Sequence, residues 1–322
     1  MHPSAEPRIP EFPDVEAAAE RIRFAVRQTP VVHSATLDQA LGCTLVAKCE
    51  NLQVTGSFKF RGATHAVARL RSAGRDADVA THSSGNHGAA LALAARNDGR
   101  QAFVVMPDNA VPDKVDAVRR HGGQVIFCAP GQAAREAGLE ALVADGRIPV
   151  PPYDHPDIIC GQGTAALELL TQTPDLDILM APVGGGGLIS GSAIVARHLR
   201  PDLTILAAEP AGAADTAASF QRGERVTHWQ ADTIADGLRA LVGALPFRII
   251  RQRLDDVLPV SEAAILEGMD LVQAHLQMTI EPSSATVIAA ILEHAERFAG
   301  RRIGVIFSGG NVDTRRFPPE SV

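Results

Sequence analysis

Lys59 stands between two phenylalanines in the segment 55–63 (TGSFKFRGA), which glycine and serine residues bound. Apolar neighbours disfavour the charged ammonium form of a lysine and therefore lower its pKa. A lysine of that kind is suited to form an imine with a carbonyl compound. Most lysines are solvated surface groups, so this segment taken alone leaves a surface lysine as the commoner interpretation.

A run of four glycines, Gly184, Gly185, Gly186 and Gly187, followed by Leu188, comes directly after the apolar stretch DILMAPV and opens a helical pattern. Glycines in a row permit a tight turn whose backbone N–H groups gather at the positive end of a helix, and such a turn binds anions. The alternative is a flexible turn that lets the helix pack close to the sheet. Neither GxxxxGK[ST] nor a spaced GxGxxG with a downstream acid is present, which favours a single phosphate monoester over a nucleotide.

A third polar segment, residues 82–88 (HSSGNHG), lies where a predicted strand ends and a predicted helix begins. Ser83, Ser84 and Asn86 offer short polar side chains there, and N–H groups at a helix N-terminus suit a carboxylate. The alternatives are an ordinary N-cap and, for His87, a packed helix residue.

A fourth segment, Ser308-Gly309-Gly310-Asn311, follows the last predicted strand. A serine at this position can donate a hydrogen bond to a ring nitrogen. The alternative is a plain turn, because Gly-Gly-Asn is typical turn chemistry.

Short β-branched runs alternate with Ala- and Leu-rich helical patterns along the chain, and this alternation predicts parallel sheets that helices cover on both faces. The predicted strands are 45–49, 78–82, 102–106, 124–128, 177–183, 203–208 and 303–307. The predicted helices are 87–96, 112–121, 131–144, 188–199, 261–277 and 283–298.

The block 78–148 reads as a complete small βαβαβ unit in the middle of the chain. We therefore expect two α/β domains, with a smaller domain at 77–149 inserted in a larger one made of 1–76 and 150–322. Ligands in such folds bind at the carboxyl ends of strands, where all four polar segments lie.

Composition and charge exclude several classes of function. The net charge of −7 argues against nucleic acid or an anionic membrane as the partner, because both require a basic face. Four scattered cysteines, without a CxxC pair or zinc spacing, predict buried reduced thiols. The N-terminal segment lacks the apolar core of a signal peptide, and no apolar stretch approaches the roughly 20 residues of a membrane helix. These features favour a cytoplasmic location.

The four segments in this order resemble the fold-type II pyridoxal-phosphate enzymes, and more narrowly the serine/threonine dehydratase and serine racemase group. The resemblance spans nearly the whole chain, through KCENLQVTGSFKFRGA, THSSGNHG, GQGTAALELL, PVGGGGLISG, TIADG, IEPSSA and FSGGNVD. It implies a tryptophan synthase β-like architecture with two open parallel sheets. It also implies pyridoxal 5′-phosphate as the cofactor, a small amino acid as the substrate and a homodimer as the assembly.

The family's cofactor-binding residues match positions of this chain. Lys59 matches the Schiff-base lysine, Phe58 the aromatic residue beside the ring, and residues 184–188 the phosphate loop. Asn86 matches the partner of the phenolic oxygen, and Ser308 that of the pyridine nitrogen.

The substrate side can be matched in the same way. Ser83, Ser84, Asn86 and His87 match the loop that holds the substrate carboxylate. In the racemase branch, the serine that matches Ser84 is also a second proton donor and acceptor opposite the lysine.

A divalent cation site is also implied. Glu209, the carbonyl of Ala213 and Asp215 match the racemase-type site, and ligands of oxygen alone suit Mg²⁺, Ca²⁺ or Mn²⁺. The alternative is a solvated acidic turn.

The resemblance implies an ammonia-lyase that deaminates L-threonine or L-serine to a 2-oxo acid by α,β-elimination. Serine racemase and 3-hydroxyaspartate ammonia-lyase remain alternatives, and Arg135 matches a residue that can reach a second carboxylate. Its own alternative is a solvated helix arginine beside Glu136. Ala240 and Tyr153 depart from the racemase pattern, which weakens the racemase alternative. A ligand-binding sensor without activity, built on the same fold, is the alternative from another class.

Overall fold

The computed structural model of the chain describes residues 7–83 and 85–313, so Ser84 lies outside the described residues. The strands in chain order are β1 (Val31–Val32), β2 (Thr44–Cys49), β3 (Val79–Thr81), β4 (Ala102–Pro107), β5 (Gln124–Cys128), β6 (Ile148–Pro149), β7 (Ile178–Pro182), β8 (Thr204–Pro210), β9 (Asp256–Val260) and β10 (Arg302–Phe307). The helices are α1 (Phe12–Ile22), α2 (Ala35–Leu41), α3 (Lys59–Ser72), α4 (Asn86–Asn97), α5 (Pro112–Arg120), α6 (Gln132–Ala144), α7 (Pro156–Gln172), α8 (Gly187–Leu199), α9 (Asp215–Arg222), α10 (Ala244–Arg253), α11 (Glu262–Leu276), α12 (Pro282–Glu293) and α13 (Ala295–Phe298).

The larger sheet has six strands in the order β1-β2-β10-β7-β8-β9. All neighbouring strands are parallel except β1, which runs antiparallel to β2 at the edge. Every residue of β7 is buried, as a strand covered by helices on both faces requires. Helices α1, α7, α8 and α10 contribute to the core on one face, and α2, α11 and α12 to the core on the other.

The smaller sheet has four parallel strands in the order β5-β4-β3-β6. All four come from the chain between β2 and β7 of the larger sheet, so the expected insertion of one parallel-sheet unit into another is confirmed. The boundaries at residues 77 and 149 stay a prediction.

Glycines let three helices of the larger unit approach one another closely. A Cβ atom on Gly161 of α7 would lie 2.7 Å from the Arg61 carbonyl oxygen of α3. One on Gly163 of α7 would lie 2.8 Å from the Gly191 carbonyl oxygen of α8. The sequence patterns did not predict α3 and α7, because glycine inside a helix lowers its intrinsic propensity and only the packing explains its presence.

Other elements differ in smaller ways from the expectation. The helix expected at 283–298 is divided at His294 into α12 and α13. The patterns also did not predict α1, α2, α9, α10, β1, β6 and β9. All four cysteines are free; three are buried and Cys128 is partly exposed. Among the residues that the structure describes, no helix is long and apolar enough to cross a membrane.

Candidate active site

Lys59 is the first residue of α3, and the chain just before it is joined to the end of β10. The backbone N–H of Phe58 donates to the Ser308 carbonyl oxygen at 3.0 Å, and Ser57 forms a bridge with Gly309. The Lys59 Nζ lies 4.9 Å from the centre of the Phe58 ring. Burial lowers the pKa of Lys59 to about 8, against the opposing effect of the Glu281 charge. A nucleophilic amine is thus placed beside Ser308.

The glycine run forms the turn between β7 and α8. Gly186, with φ of +88°, is the residue before the helix, and among the described residues no side chain caps this N-terminus. Side chains have no room on the loop, because a Cβ atom on Gly185 would overlap the Tyr153 ring. The uncapped N–H groups at the positive helix end form the anion-binding turn that the sequence predicts.

The carbonyl of Pro152 connects the lysine with the glycine loop. It accepts a hydrogen bond from Lys59 Nζ at 2.9 Å and another from Gln162 Nε2 at 3.2 Å. The other end of the Gln162 amide packs on the loop, since a Cβ atom on Gly187 would overlap Gln162 Oε1. The amine and the anion-binding turn therefore belong to one site.

Ser308 directly follows β10, and its side chain is buried. Its Oγ lies 3.1 Å from Ser284 Oγ. Ser284 Oγ in turn donates to the Gly309 carbonyl and accepts from the Gly309 N–H. These contacts leave a neutral hydroxyl, rather than a carboxylate, at the end of this strand.

Asn86, at the start of α4, links the smaller unit to the larger one. Its Nδ2 donates to both carboxylate oxygens of Glu281, at 2.9 and 3.0 Å. Its Oδ1 accepts from Asn311 Nδ2 at 2.9 Å. Burial raises the pKa of Glu281, while the bonds from Asn86 oppose that rise.

Sequence reasoning missed Glu281 as a site residue. The available signal was an acidic residue directly before Pro282, the position from which a helix starts, inside the quoted motif IEPSSA. Tyr153, noted only for its departure from the racemase pattern, is the residue that covers the glycine loop.

The family model for pyridoxal-phosphate dependent enzymes matches residues 22–309. The chain belongs to this family. It is 42% identical to the beta-hydroxyaspartate dehydratase of Paracoccus denitrificans over 311 residues, which cover 96% of this chain and 99% of the relative.

Two solved structures of the family have the same fold. The serine racemase of Dictyostelium discoideum superposes with a TM-score of 0.90 at 42% identity, covering 95% of this chain and 100% of that one. The T.th. threonine deaminase gives a TM-score of 0.91 at 38% identity, covering 94% of this chain and 99% of that one. Fold-type II architecture is therefore confirmed. The similar proteins include a racemase, a deaminase and a hydroxyaspartate dehydratase, so the comparisons fix the family and leave the substrate open.

Membership of the family implies pyridoxal phosphate, and the site residues fit it. The uncapped turn suits the cofactor's phosphate, the Lys59 amine its aldehyde, and the Ser308 hydroxyl its ring nitrogen. Ser57 Oγ and Gln162 Oε1 are buried next to these groups and have no hydrogen-bond partner among the described residues. Buried polar atoms are normally paired, so their position favours a polar ligand here.

The predicted substrate residues lie on the smaller unit, and their roles stay predictions. His87 is buried, and its Nε2 donates to the Val150 carbonyl at 3.0 Å. Burial and, to a smaller extent, the nearby Lys59 charge lower the pKa of His87 to about 3. Ser83 Oγ is 3.5 Å from the Gly85 N–H. Among these residues, the backbone N–H groups at the start of α4 are the better anion donors.

Arg135 lies on α6 and is half-buried. Its guanidinium donates to Gln132 Oε1 at 2.6 Å and to the Gly131 carbonyl at 3.4 Å, close to its own helix. It is also close enough to His82 for its charge to add to burial in lowering the pKa of that histidine. Arg135 therefore borders the segment 82–88, and a direct role in binding stays a prediction.

The residues of the expected cation site lie close together. Among the described residues, however, no group of three or more His, Cys, Asp or Glu side chains is arranged so that it could hold a metal ion. Glu209 and Asp215 are both buried, and Ala213 lies in the turn between them. Glu209 accepts from the Ala217 N–H at 2.6 Å, and Asp215 accepts from the Val242 N–H at 2.9 Å. Burial raises the pKa of Glu209 to about 8 and that of Asp215 to about 6. Two buried carboxylates with a carbonyl suit a hard cation in their donor chemistry, and the metal stays a prediction.

Proposed function

We propose that the chain is a pyridoxal-phosphate-dependent ammonia-lyase that deaminates L-serine or L-threonine to the corresponding 2-oxo acid. The observation that carries this proposal is a lysine with a lowered pKa placed beside a neutral serine in one site, the two segments being joined by the hydrogen bond from the Phe58 N–H to the Ser308 carbonyl. The bound cofactor supplies an electron sink for the Cα carbon of the amino acid.

Lys59 performs the proton transfer in this proposal. A pKa of about 8 leaves part of the amine neutral at physiological pH, so the group can act as a general base at Cα. The Pro152 carbonyl orients the amine through its hydrogen bond to Nζ. The ring of Phe58 covers one side of the amine and limits the access of water.

Ser308 directs the outcome toward elimination. A carboxylate at this position would hold a proton on the ring nitrogen, whereas the serine hydroxyl does not. Ser284 Oγ accepts from that hydroxyl at 3.1 Å, and the Ser308 hydroxyl would turn its hydrogen to the ring nitrogen when the cofactor binds. With the cofactor bound, a ring nitrogen left without a proton would favour the loss of the β-hydroxyl over racemisation.

The uncapped N-terminus of α8 serves two purposes in the proposal. Its N–H groups would hold the phosphate of the bound cofactor, and that phosphate would supply the acid for the leaving hydroxide. Asn86 and the N–H groups at the start of α4 hold the substrate carboxylate from the opposite unit. A homodimer in the cytoplasm, with Mg²⁺ or a similar cation at Glu209 and Asp215, completes the proposal.

A second candidate is 3-hydroxyaspartate ammonia-lyase. The position of Arg135 beside the segment 82–88 favours it, because a second carboxylate on the substrate needs a cation on this side. The Paracoccus denitrificans relative, at 42% identity, is named as a beta-hydroxyaspartate dehydratase.

One assay separates the candidates. The purified holoenzyme is given L-serine, D-serine, L-threonine and both diastereomers of 3-hydroxyaspartate, with and without EDTA. Ammonia, oxo acid and product chirality are measured together. We expect ammonia and oxo acid in equal amounts from L-serine or L-threonine, and faster than any inversion. If inversion of the substrate is faster than ammonia release, the protein is a racemase and not a lyase. If the protein never takes up the cofactor, the result favours the ligand-binding sensor without activity.

Arg135→Ala decides between the two lyase candidates in the same assay. Loss of about tenfold or more in kcat/KM for 3-hydroxyaspartate, with turnover of L-serine retained, would favour the second candidate. Arg119→Ala is the matched control, since Arg119 lies on α5 of the same unit and stacks on Phe127. Equal effects of both variants would remove Arg135 from the site.

A further inference from the structure

A groove separate from the active site lies between α1, α3 and the start of α7. We call it the basic groove; its cavity measures about 290 Å³, and its charged lining consists of Arg8, Asp14, Arg21, His65, Arg69 and Asp157. Three arginines thus face two aspartates, on a chain whose net charge is −7. The proposed reaction uses none of these residues.

His65 has a fixed position in this groove, because it is only 2% exposed and both of its ring nitrogens form hydrogen bonds. Its Nδ1 lies 2.8 Å from the Asp157 carbonyl oxygen, which can only accept, so Nδ1 carries the hydrogen. Its Nε2 is therefore the acceptor for the Arg21 guanidinium at 2.9 Å. Burial lowers the pKa of His65, which agrees with a neutral ring.

This contact orients Arg21 without neutralising it. Arg8 pairs with Asp14 at 2.7 Å, and Arg69 pairs with Asp157 at 3.4 Å. The contacts of Arg21 in the described part of the chain are the His65 ring and a long bond to the Ala17 carbonyl of its own helix. A buried neutral side chain thus directs an arginine whose charge no described carboxylate balances.

The start of α7 adds to the positive character of the groove. Pro156 and Asp157 line it, and they are the first two residues of a helix of 17 residues. Asp157 pairs with Arg69, and the amide of Asp157 is capped by His155. The helix end therefore favours an anion but does not by itself select one.

We propose that the basic groove binds the phosphate group of a small molecule, with Arg21 as the principal ligand and Arg8 and Arg69 at its edge. Arginine presents a fork of N–H donors that matches phosphate oxygens in pairs. The volume admits free phosphate and also a phosphate ester with a small organic part. A ligand here would bridge α1, α3 and α7, and α3 begins with Lys59.

The test is calorimetric titration of the holoenzyme, freed of excess cofactor, with inorganic phosphate at constant ionic strength. Cofactor absorbance is followed in parallel to show that phosphate does not displace the cofactor from the glycine loop. We expect saturable binding that Arg21→Gln weakens by about tenfold or more, the loss typical of one charge-assisted contact. The midpoint of thermal unfolding should rise with phosphate in the parent protein and not in Arg21→Gln.

Arg23→Gln is the matched control, because it removes the same charge two residues away, where Arg23 pairs with Glu20 outside the groove. It should bind phosphate as the parent does. A parallel titration with ribose 5-phosphate shows whether the natural ligand is free phosphate or a phosphate ester. If ribose 5-phosphate binds more tightly than phosphate, the ligand is an ester; if the two bind equally, it is the free ion. Absence of saturable binding for both probes, or equal binding by Arg21→Gln and the parent, overturns the proposal.

Discussion

The elements on the two sides of the active site differ in how tightly they are packed. On the larger unit, residues 187–196 of α8 are all buried. On the smaller unit, α6 has no buried residue, and the neighbouring strand β5 exposes Ile126 and Phe127. The side proposed to hold the cofactor is therefore set in a packed core. On the side proposed to select the substrate, only the outer elements α6 and β5 are sparsely packed, whereas α4, which follows the segment 82–88, is buried over His87–Ala95. Sparse packing corresponds to low local stability.

This difference suggests a division of labour. The lysine, the glycine loop and Ser308 need fixed positions, because they meet the same rigid ring from different directions. Arg135 needs only to approach the substrate, and the sparsely packed outer part of the smaller unit can bring it there by moving. Changes on the larger unit should then remove a function, whereas changes on the smaller one should adjust it.

The largest expected effect comes from Lys59→Ala. Turnover should fall by about 10³-fold or more, because the variant loses both the cofactor-binding amine and the proposed base. The visible absorbance of the lysine-bound cofactor should also be lost. Lys114→Ala, on α5 of the smaller unit, removes a lysine that pairs with Asp236 and should keep that absorbance. Ammonia release by Lys59→Ala at the parent's rate would contradict the assigned role.

A pair of glycine substitutions tests the two loops directly. Gly185→Ala places a methyl group inside the space of the Tyr153 ring and should weaken cofactor binding by about 10²-fold or more. Gly85→Ala, in the opposite loop, adds a methyl group that meets no described residue beyond its chain neighbours within 4 Å, and φ there is −124°. It should keep the cofactor affinity within a few-fold. Equilibrium titration of each cofactor-free variant with pyridoxal phosphate measures the two affinities. Similar losses of affinity in the two variants would contradict the difference between the two loops.

A matched loss of one methyl group measures the packing itself. Ile194→Val on α8, where Ile194 is 1% exposed, should lower the free energy of unfolding by about 0.5–1.5 kcal/mol. Ile126→Val on β5, where Ile126 is 39% exposed, should change it by less than about 0.5 kcal/mol. Urea unfolding followed by circular dichroism gives both values. A larger cost at Ile126 would show that β5 is covered in solution.

The sequence could predict the parts of the site that depend on local chemistry. The glycine loop needed only the order of an apolar strand, four glycines and a helix, and the structure has that order. Glu281 could not be found in this way, because its role comes from Asn86, which is 195 positions away in the chain. Helices α3 and α7 were missed for a related reason, because their glycines are explained only by the close approach of the neighbouring helices.

The contacts that single residues make across the two units also could not be predicted from the neighbouring sequence. Nothing in the segment 82–88 indicates that the His87 side chain bonds to the Val150 carbonyl. The insertion of one unit into the other was predictable, since a complete βαβαβ pattern lies inside the chain. The antiparallel β1 was not, because two residues carry too little pattern to assign a strand direction.

The smallest expected effect concerns the acidity of Lys59 and needs no substitution. The chain has only three lysines, so the labelling of each by an amine-reactive reagent can be followed by mass spectrometry. Burial favours the neutral amine and lowers the pKa of Lys59 to about 8, so in the cofactor-free protein its labelling rate should rise with pH up to about 8 and then level off. Between pH 8 and pH 7 the rate should fall by about fivefold, as the neutral fraction does. A rate that still rises about tenfold per pH unit above pH 9 would mean that the lysine keeps its ordinary pKa. In that case the packed side of the site would position the amine without lowering its pKa, and the proposed base would need another source of activation.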